Sequence, residues 1–144
     1  MEGTRVDLQT GHLTGGEVAQ SRRTLGELRG VFAGEAARAA MDQQTVVYEV
    51  QSHAAVAEGT PGGLFFGTSN VMPGQVDGEY FMTKGHYHAR RECAEYYWCI
   101  EGKGALILMD ETGRCWFESM QPGSLHYIPG HVAHRLANTG DVPL

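Results

Sequence analysis

The chain has 144 residues, a formal net charge of −6 at pH 7 and three cysteines. This length favours one compact domain with a sizeable core. Acidic and basic residues are interspersed without a basic stripe, which argues against nucleic-acid binding. The three cysteines show no CxxC spacing, so we do not expect a disulfide framework. We expect the protein to reside in a reducing compartment.

The sequence carries no recognisable targeting or membrane segment. Residues 1–5 lack the apolar stretch of a signal peptide. No run approaches the roughly 20 apolar residues that are needed to cross a bilayer. We therefore expect a cytoplasmic protein with no membrane partner.

The pattern of glycines and short apolar runs indicates β structure with tight turns. We expect residues 1–44 to form a short N-terminal arm, irregular over 9–23, with one alanine-rich helix at 35–41. Strands are predicted at 45–50, 63–72, 80–88, 95–100, 105–109, 115–120, 125–128 and 134–137. Short strands at this spacing predict an all-β antiparallel sandwich or small barrel over residues 45–144, within a single domain of residues 1–144.

Four residues form a candidate metal site: His86, His88, Glu95 and His134. Alternate residues of a strand point to the same side, so His86 and His88 can place both imidazoles in one pocket. Glu95 and His134 would complete a set of three nitrogens and one oxygen, which suits iron(II), manganese, nickel, cobalt, copper or zinc. An octahedral ion would keep two positions for substrate oxygens, whereas tetrahedral zinc would be closed and structural. The number of ligands leaves both possibilities open.

Strand alternation also divides the side chains that follow this motif. Glu95 and Tyr97 share one face of the strand predicted at 95–100, and we expect them to line a cavity. Tyr96 and Trp98 share the other face and are expected to pack against neighbouring structure. Glu95 is therefore both a candidate ligand and the first candidate for a catalytic base, and Tyr97 is a candidate hydrogen-bond partner for the substrate.

Two segments resemble the two sequence motifs of the cupins. Residues 85–88 (Gly-His-Tyr-His), with Glu95 and Gly102, resemble the first motif. Residues 123–138 resemble the second motif. The resemblance implies a single-domain cupin, a double-stranded β-helix or jelly-roll barrel.

A longer gap than usual separates the second histidine from the glutamate, and it points to one cupin family. Together with residues 82–88, 102–104 and 133–135, it resembles the cupin-type glucose-6-phosphate isomerases. The resemblance extends over residues 21–144. Because that family continues for several more strands, we expect the chain to be a fragment or a minimal variant, with the barrel truncated at its C-terminus.

The resemblance implies a function and a set of partners. By similarity, the protein interconverts glucose 6-phosphate and fructose 6-phosphate, binds one divalent ion per chain and forms a homodimer. Fe²⁺ is the favoured ion, with Mn²⁺, Ni²⁺ or Zn²⁺ as alternatives. Ser69, Thr83 and Gly85 are then expected to hold the phosphate of the sugar.

Two questions stay open at this level: the route of hydrogen transfer, and which of three functions the protein has. Glu95 could act as a base that moves a proton between C2 and C1, or a hydride shift assisted by the ion could need no base. The same ligand set also serves cupin dioxygenases. A non-catalytic cupin that binds a sugar is the third possibility.

Overall fold

The computed structural model describes residues 3–57 and 60–144. The expectation about residues 1–5 therefore lies partly outside the described residues. Within these ranges the chain forms a 3₁₀ turn (Leu25–Leu28), one α-helix, α1 (Glu35–Ala40), and short strands. The strands are β1 (Arg5–Val6), β2 (Leu13–Thr14), β3 (Ala19–Thr24), β4 (Val46–Ala54), β5 (Phe65–Val71), β6 (Gln75–Val76), β7 (Glu79–Tyr80), β8 (Glu95–Trp98), β9 (Gly104–Met109), β10 (Cys115–Met120), β11 (Leu125–Ile128) and β12 (Ala133–Asn138).

All strand pairs are antiparallel, and they form small sheets with the orders β1-β2, β3-β4-β5, β6-β7, β8-β11 and β10-β9-β12. The backbone of Val71 on β5 exchanges two hydrogen bonds with Leu144, at 2.9 and 3.0 Å. This pair links the end of β5 to the C-terminal residues. The all-β, antiparallel prediction is confirmed, whereas the assignment of residues 1–144 to a single domain stays a prediction.

The core lies between the sheets because the central strands alternate in burial. On β12, His134, Leu136 and Asn138 are buried, and they pair in register with Leu108, Leu106 and Gly104 of β9. Burying a large aliphatic side chain contributes about 1.5–3 kcal/mol to folding. The largest fully buried aliphatic side chains are Leu25, Leu28, Val47, Val71, Val76, Leu106, Leu108 and Ile128.

The predicted helix is confirmed as α1, which is anchored by its arginine. Arg38 is buried and donates hydrogen bonds to Glu35 Oε1 at 2.8 Å and to the carbonyl of Leu25 at 2.6 Å. The helix is therefore tied to the 3₁₀ turn that precedes it.

Among the described residues, none of the helices has the length and apolar composition of a membrane-spanning segment.

The N-terminal region contains more regular structure than predicted. Residues 9–23 include β2 and most of β3, and β3 pairs with β4 from Ala19 opposite Ser52 onwards. Most side chains of β3 are polar and exposed. Such an edge strand takes its stability from backbone hydrogen bonds and shows no hydrophobic period in the sequence.

The continuous strand predicted at 80–88 is wrong. β7 ends at Tyr80, and beyond it the segment meets β12 through isolated bridges, Met82 with Ala137 and His86 with His134. Gly85 has a φ of +73°, in the left-handed region, which interrupts the extended backbone. The segment nevertheless runs beside β12, so it can deliver side chains to the same place as that strand.

Candidate metal centre

Three imidazole rings come together in the structure, those of His86, His88 and His134. One nitrogen from each ring lies within 4.8 Å of the others. The ring centroids are 4.7 Å apart for His86 and His134, 5.1 Å for His88 and His134, and 5.8 Å for His86 and His88. His134 is buried, His88 is half-buried and His86 is exposed, so this cluster, which could hold a metal ion, is open on one side.

Backbone contacts fix two of these histidines against each other. The His86 amide donates to the His134 carbonyl at 3.2 Å, and the His134 amide donates to the His86 carbonyl at 3.1 Å. His88 is held differently, because its Nδ1 lies 2.9 Å from the carbonyl of Cys93. A carbonyl only accepts hydrogen bonds, so Nδ1 carries the proton and Nε2 presents a lone pair.

Glu95, at the start of β8, places its carboxylate beside two of the imidazoles. Its Oε2 lies 3.1 Å from His88 Nε2 and 3.2 Å from His134 Nε2. His134 Nε2 is buried and has no hydrogen-bond partner among the described residues. When both imidazoles are unprotonated at Nε2, lone pairs of nitrogen and oxygen face one another at short distance, an arrangement that a cation between them would stabilise. The donor set fits a divalent transition metal.

The charge states of the cluster agree with this fit. Burial alone would raise the pKa of Glu95, but the His134 and His88 imidazoles outweigh it, and the pKa lies below its usual value. Although His86 is exposed as a residue, partial desolvation of its ring, followed by the charges of His134 and His88, lowers its pKa. At neutral pH the site therefore offers a carboxylate and a neutral His86 imidazole, which are the forms that bind metal ions.

Tyr97 lies two residues beyond Glu95 on the same face of β8. Its ring meets His134 edge-on, with centroids 5.5 Å apart and an interplanar angle of 88°. Burial, reinforced by the charge of Glu95, raises the pKa of Tyr97. The phenol therefore stays neutral and can donate a hydrogen bond.

The other face of β8 differs from the expectation. Tyr96 and Trp98 were expected to pack against neighbouring structure, but they are 65% and 57% exposed. They lie on the outer face of the β8-β11 pair, opposite Tyr127 and Leu125, which are also exposed. The reason is that nothing among the described residues covers this face.

The three predicted phosphate-binding residues do not all lie together in sequence or in one sheet. Thr83 lies beside β12, where its Oγ1 accepts a hydrogen bond from the Leu136 amide at 3.0 Å. Gly85 follows in the same segment, one residue before His86. Ser69 lies on β5, paired with Val50 of β4. The structure thus joins Thr83 and Gly85 to the metal-binding segment, and it holds Ser69 on another sheet.

Arg135 is a residue of this region for which the sequence analysis predicted no role. A Cβ added at Gly85 would lie 3.0 Å from Arg135 Nε, and Arg135 Nη1 donates to the Met82 sulfur at 3.2 Å. The guanidinium therefore covers Gly85. The available signal was its position next to His134, on a strand that runs beside the 82–86 segment.

Comparisons with known proteins agree with one another. The family model for glucose-6-phosphate isomerase (GPI) matches residues 22–144. The chain is 41% identical over 142 residues to the glucose-6-phosphate isomerase of Thermococcus onnurineus, and 39% identical over 143 residues to that of Pyrococcus furiosus. Each alignment covers 98% of this chain, and they cover 73% and 74% of the two relatives.

A solved structure extends the comparison to the fold. Oxalate decarboxylase from Bacillus subtilis is similar with a TM-score of 0.53 and 22% sequence identity. The match covers 67% of this chain and 23% of the decarboxylase chain. At this identity, the similarity shows a shared fold alone, and together with the family match it confirms the predicted cupin fold.

Proposed function

We propose, because this chain belongs to the glucose-6-phosphate isomerase family, that it interconverts glucose 6-phosphate and fructose 6-phosphate. The observation that carries the proposal is the convergence of His86, His88, His134 and Glu95 in a chain that matches this family. The family match favours an isomerase over a cupin dioxygenase and over a non-catalytic sugar-binding cupin.

The same four residues would hold one divalent metal ion per chain. Three imidazole nitrogens and a carboxylate oxygen suit Fe²⁺, which we favour, and also Mn²⁺, Ni²⁺ and Zn²⁺. When bound, such an ion supplies Lewis-acid stabilisation for the negative charge that develops on two adjacent sugar oxygens. Stabilisation of this kind acts in the transition state, so it raises the rate as well as the affinity.

Glu95 is the proposed base. Its lowered pKa keeps the carboxylate ionised at neutral pH, so it can take a proton from C2 of the open-chain sugar and return it to C1. Tyr97, whose pKa is raised, would donate a hydrogen bond to a sugar oxygen. Turnover in D₂O tests this route, because proton transfer through Glu95 incorporates deuterium into the product. A direct shift of hydrogen between the two carbons incorporates none.

Thr83, Gly85 and Ser69 are the proposed phosphate ligands. The net charge of −6 does not attract an anionic substrate, so binding depends on local hydrogen-bond donors. The Thr83 hydroxyl accepts from the Leu136 amide, which leaves its own proton free for a phosphate oxygen. The Arg135 guanidinium covers Gly85, so a phosphate held at Gly85 would meet this cation as well as the backbone.

A homodimer and a cytoplasmic location remain part of the proposal. The exposed outer face of the β8-β11 pair supports association with a second copy, because contiguous apolar surface commonly marks an interface. Its large side chains are Tyr96, Trp98, Leu125 and Tyr127. Light scattering after size-exclusion chromatography measures the mass: a value of one chain at micromolar concentration would contradict the dimer.

The central experiment compares two histidine variants of the metal-reconstituted protein. His88→Ala should lose metal content and the conversion of fructose 6-phosphate together. His53→Ala is the matched control, because His53 lies on β4 and contacts the carbonyl of Glu17 at 3.0 Å. If the His88→Ala protein, after treatment with a chelator, still converted fructose 6-phosphate at the wild-type rate, the proposed function would be contradicted.

A further inference from the structure

Three side chains outside the metal cluster form a continuous chain of hydrogen bonds: Glu118, His126 and Ser124. His126 Nδ1 lies 2.6 Å from Glu118 Oε2, and His126 Nε2 lies 2.8 Å from Ser124 Oγ. His126 is only 6% exposed. Glu118 belongs to β10 and His126 to β11, which lie in different sheets, so these contacts link the two sheets.

The contacts assign the protons along this chain. The Glu118 carboxylate only accepts, so Nδ1 of His126 carries the proton and donates it to that carboxylate. When the imidazole is neutral, Nε2 is left to accept the hydroxyl proton of Ser124. The Gln121 amide donates to Ser124 Oγ at 3.1 Å, which occupies one lone pair of the oxygen and leaves the other free.

We propose that Ser124 is an activated nucleophile that accepts acyl or phosphonyl groups from electrophiles with good leaving groups. An acid, a histidine and a serine in this order and at these distances form the arrangement that activates serine in hydrolases on unrelated folds. Ser124 Oγ bonds to the carbonyl carbon or to phosphorus, while the hydroxyl proton passes to His126 Nε2. Glu118 stabilises the resulting imidazolium. The leaving group departs as a phenolate or as fluoride.

The backbone around Ser124 limits the substrate class. The Gly123 amide donates to the Cys99 carbonyl at 2.8 Å, and the Ser124 amide donates to the Gln121 carbonyl at 2.9 Å. Neither amide is free to stabilise an oxyanion, and losing one such donor typically costs about 10²–10³ in rate. Aryl esters and fluorophosphonates react through leaving groups that need little help. We expect no reaction of Ser124 with alkyl esters or peptides, because their leaving groups are poor and no free amide stabilises the oxyanion.

This activity is separate from the isomerisation proposed above. The hydrogen-bonded residues Glu118, His126 and Ser124 are connected to the metal centre through Tyr97, which pairs with His126 in the register of β8 and β11. None of the three is a proposed metal ligand. Chelation of the metal should therefore leave the reaction of Ser124 unchanged, and failure of either proposal can be recognised without the other.

The test treats the full chain with a fluorophosphonate probe, with and without a chelator, and maps the modified residue by mass spectrometry. We expect the label on Ser124. The internal control is Ser119, an exposed serine on β10, which should be labelled about 100-fold more slowly because general-base catalysis contributes a factor of this order. Equal labelling of both serines, or no label on Ser124, would overturn the proposal.

Two variants separate activation from a purely structural tie between the sheets. His126→Gln should slow labelling of Ser124 by about 100-fold, since it removes the base. Glu118→Gln keeps a hydrogen-bonding group but removes the charge, and about a tenfold loss is expected. Circular dichroism shows whether each variant is folded. If a folded variant were labelled on Ser124 at the wild-type rate, the proposed role of Glu118 and His126 in activating Ser124 would be refuted. If both variants unfold, the wild-type mapping decides.

Discussion

Replacing Gly85 with alanine is expected to weaken both the fold and the metal centre. Gly85 has a φ of +73°, and an L-residue in the left-handed region costs roughly 1–2 kcal/mol. The new Cβ would also lie 3.0 Å from Arg135 Nε and 3.3 Å from the His134 carbonyl oxygen. The guanidinium can move aside, but the carbonyl accepts a hydrogen bond from the His86 amide. Relief of the contact therefore displaces a proposed metal ligand.

The expected loss in the free energy of unfolding is about 2–4 kcal/mol, because crowding adds to the backbone strain. Metal affinity should fall by about 10-fold or more, as it does when groups that orient ligands are disturbed. Urea unfolding of the metal-free protein measures the first quantity, and isothermal titration calorimetry with Mn²⁺ measures the second.

Gly113→Ala is the matched control for this experiment. Gly113 has a φ of +85°, and a Cβ there meets no described atom within 4 Å. It should cost the backbone strain of about 1–2 kcal/mol and leave metal affinity unchanged. If Gly85→Ala lost no more stability than Gly113→Ala and bound metal like the wild type, the reasoning from the contacts of Gly85 would be refuted.

Three further predictions concern the substrate, the acid stability and the core. Thr83→Ala should raise KM for fructose 6-phosphate about tenfold, since a hydrogen bond to a charged group is worth about 1.5–3 kcal/mol. The control Thr83→Ser should have a KM near the wild-type value. Equal KM values for all three proteins in steady-state kinetics would exclude a role of Thr83 in phosphate binding. Because the pKa of Glu95 is lowered in the folded protein, its ionised carboxylate adds to the free energy of unfolding at pH values above its usual pKa of 4.5. This stabilisation is lost as the pH falls below 4.5. In urea titrations Glu95→Gln should therefore lose less stability on acidification than the wild type, and parallel losses would count against the pairing. Leu106→Ala, at a fully buried position, should cost about 2–5 kcal/mol in chemical denaturation. Leu64→Ala, which is 84% exposed, should cost under about 0.5 kcal/mol, and similar losses for the two would contradict the burial assigned to them.

The three histidines that were predicted to lie together do so in the structure, but the argument used for His86 and His88 does not hold. Strand alternation was the argument for His86 and His88, but the 82–88 segment is not a continuous strand. The rings meet because Gly85 turns the backbone beside β12 and the Cys93 carbonyl orients His88. A pattern in the sequence can identify such residues, whereas a positive φ at the preceding glycine and a carbonyl contact from a loop require coordinates.

One hairpin could have been predicted and was not. β6 and β7 are joined by Asp77 and Gly78, with φ values of 48° and 85°. Both central residues have the positive φ of a type I′ turn, for which Asp-Gly is a preferred sequence. The strands are two residues long, so their hydrophobic alternation was too short to detect, but the turn itself was readable.

The hydrogen-bonded chain of Glu118, His126 and Ser124 shows the opposite limit. Ser124 and His126 are two residues apart, so strand alternation could have placed them on one face. Glu118 reaches His126 from another sheet, and no period in a single sequence predicts which strands of two sheets face each other. That pairing is a property of the folded barrel.

The two tryptophans of the chain occupy contrasting environments. Trp98 is 57% exposed on the outer face of β8, whereas Trp116 is partly buried against the core. Intrinsic fluorescence therefore contains an aqueous and an interior component, and iodide quenching separates them. In a Trp98→Phe protein the remaining tryptophan emission comes from Trp116 alone, so unfolding can be recorded optically at one site without an attached dye.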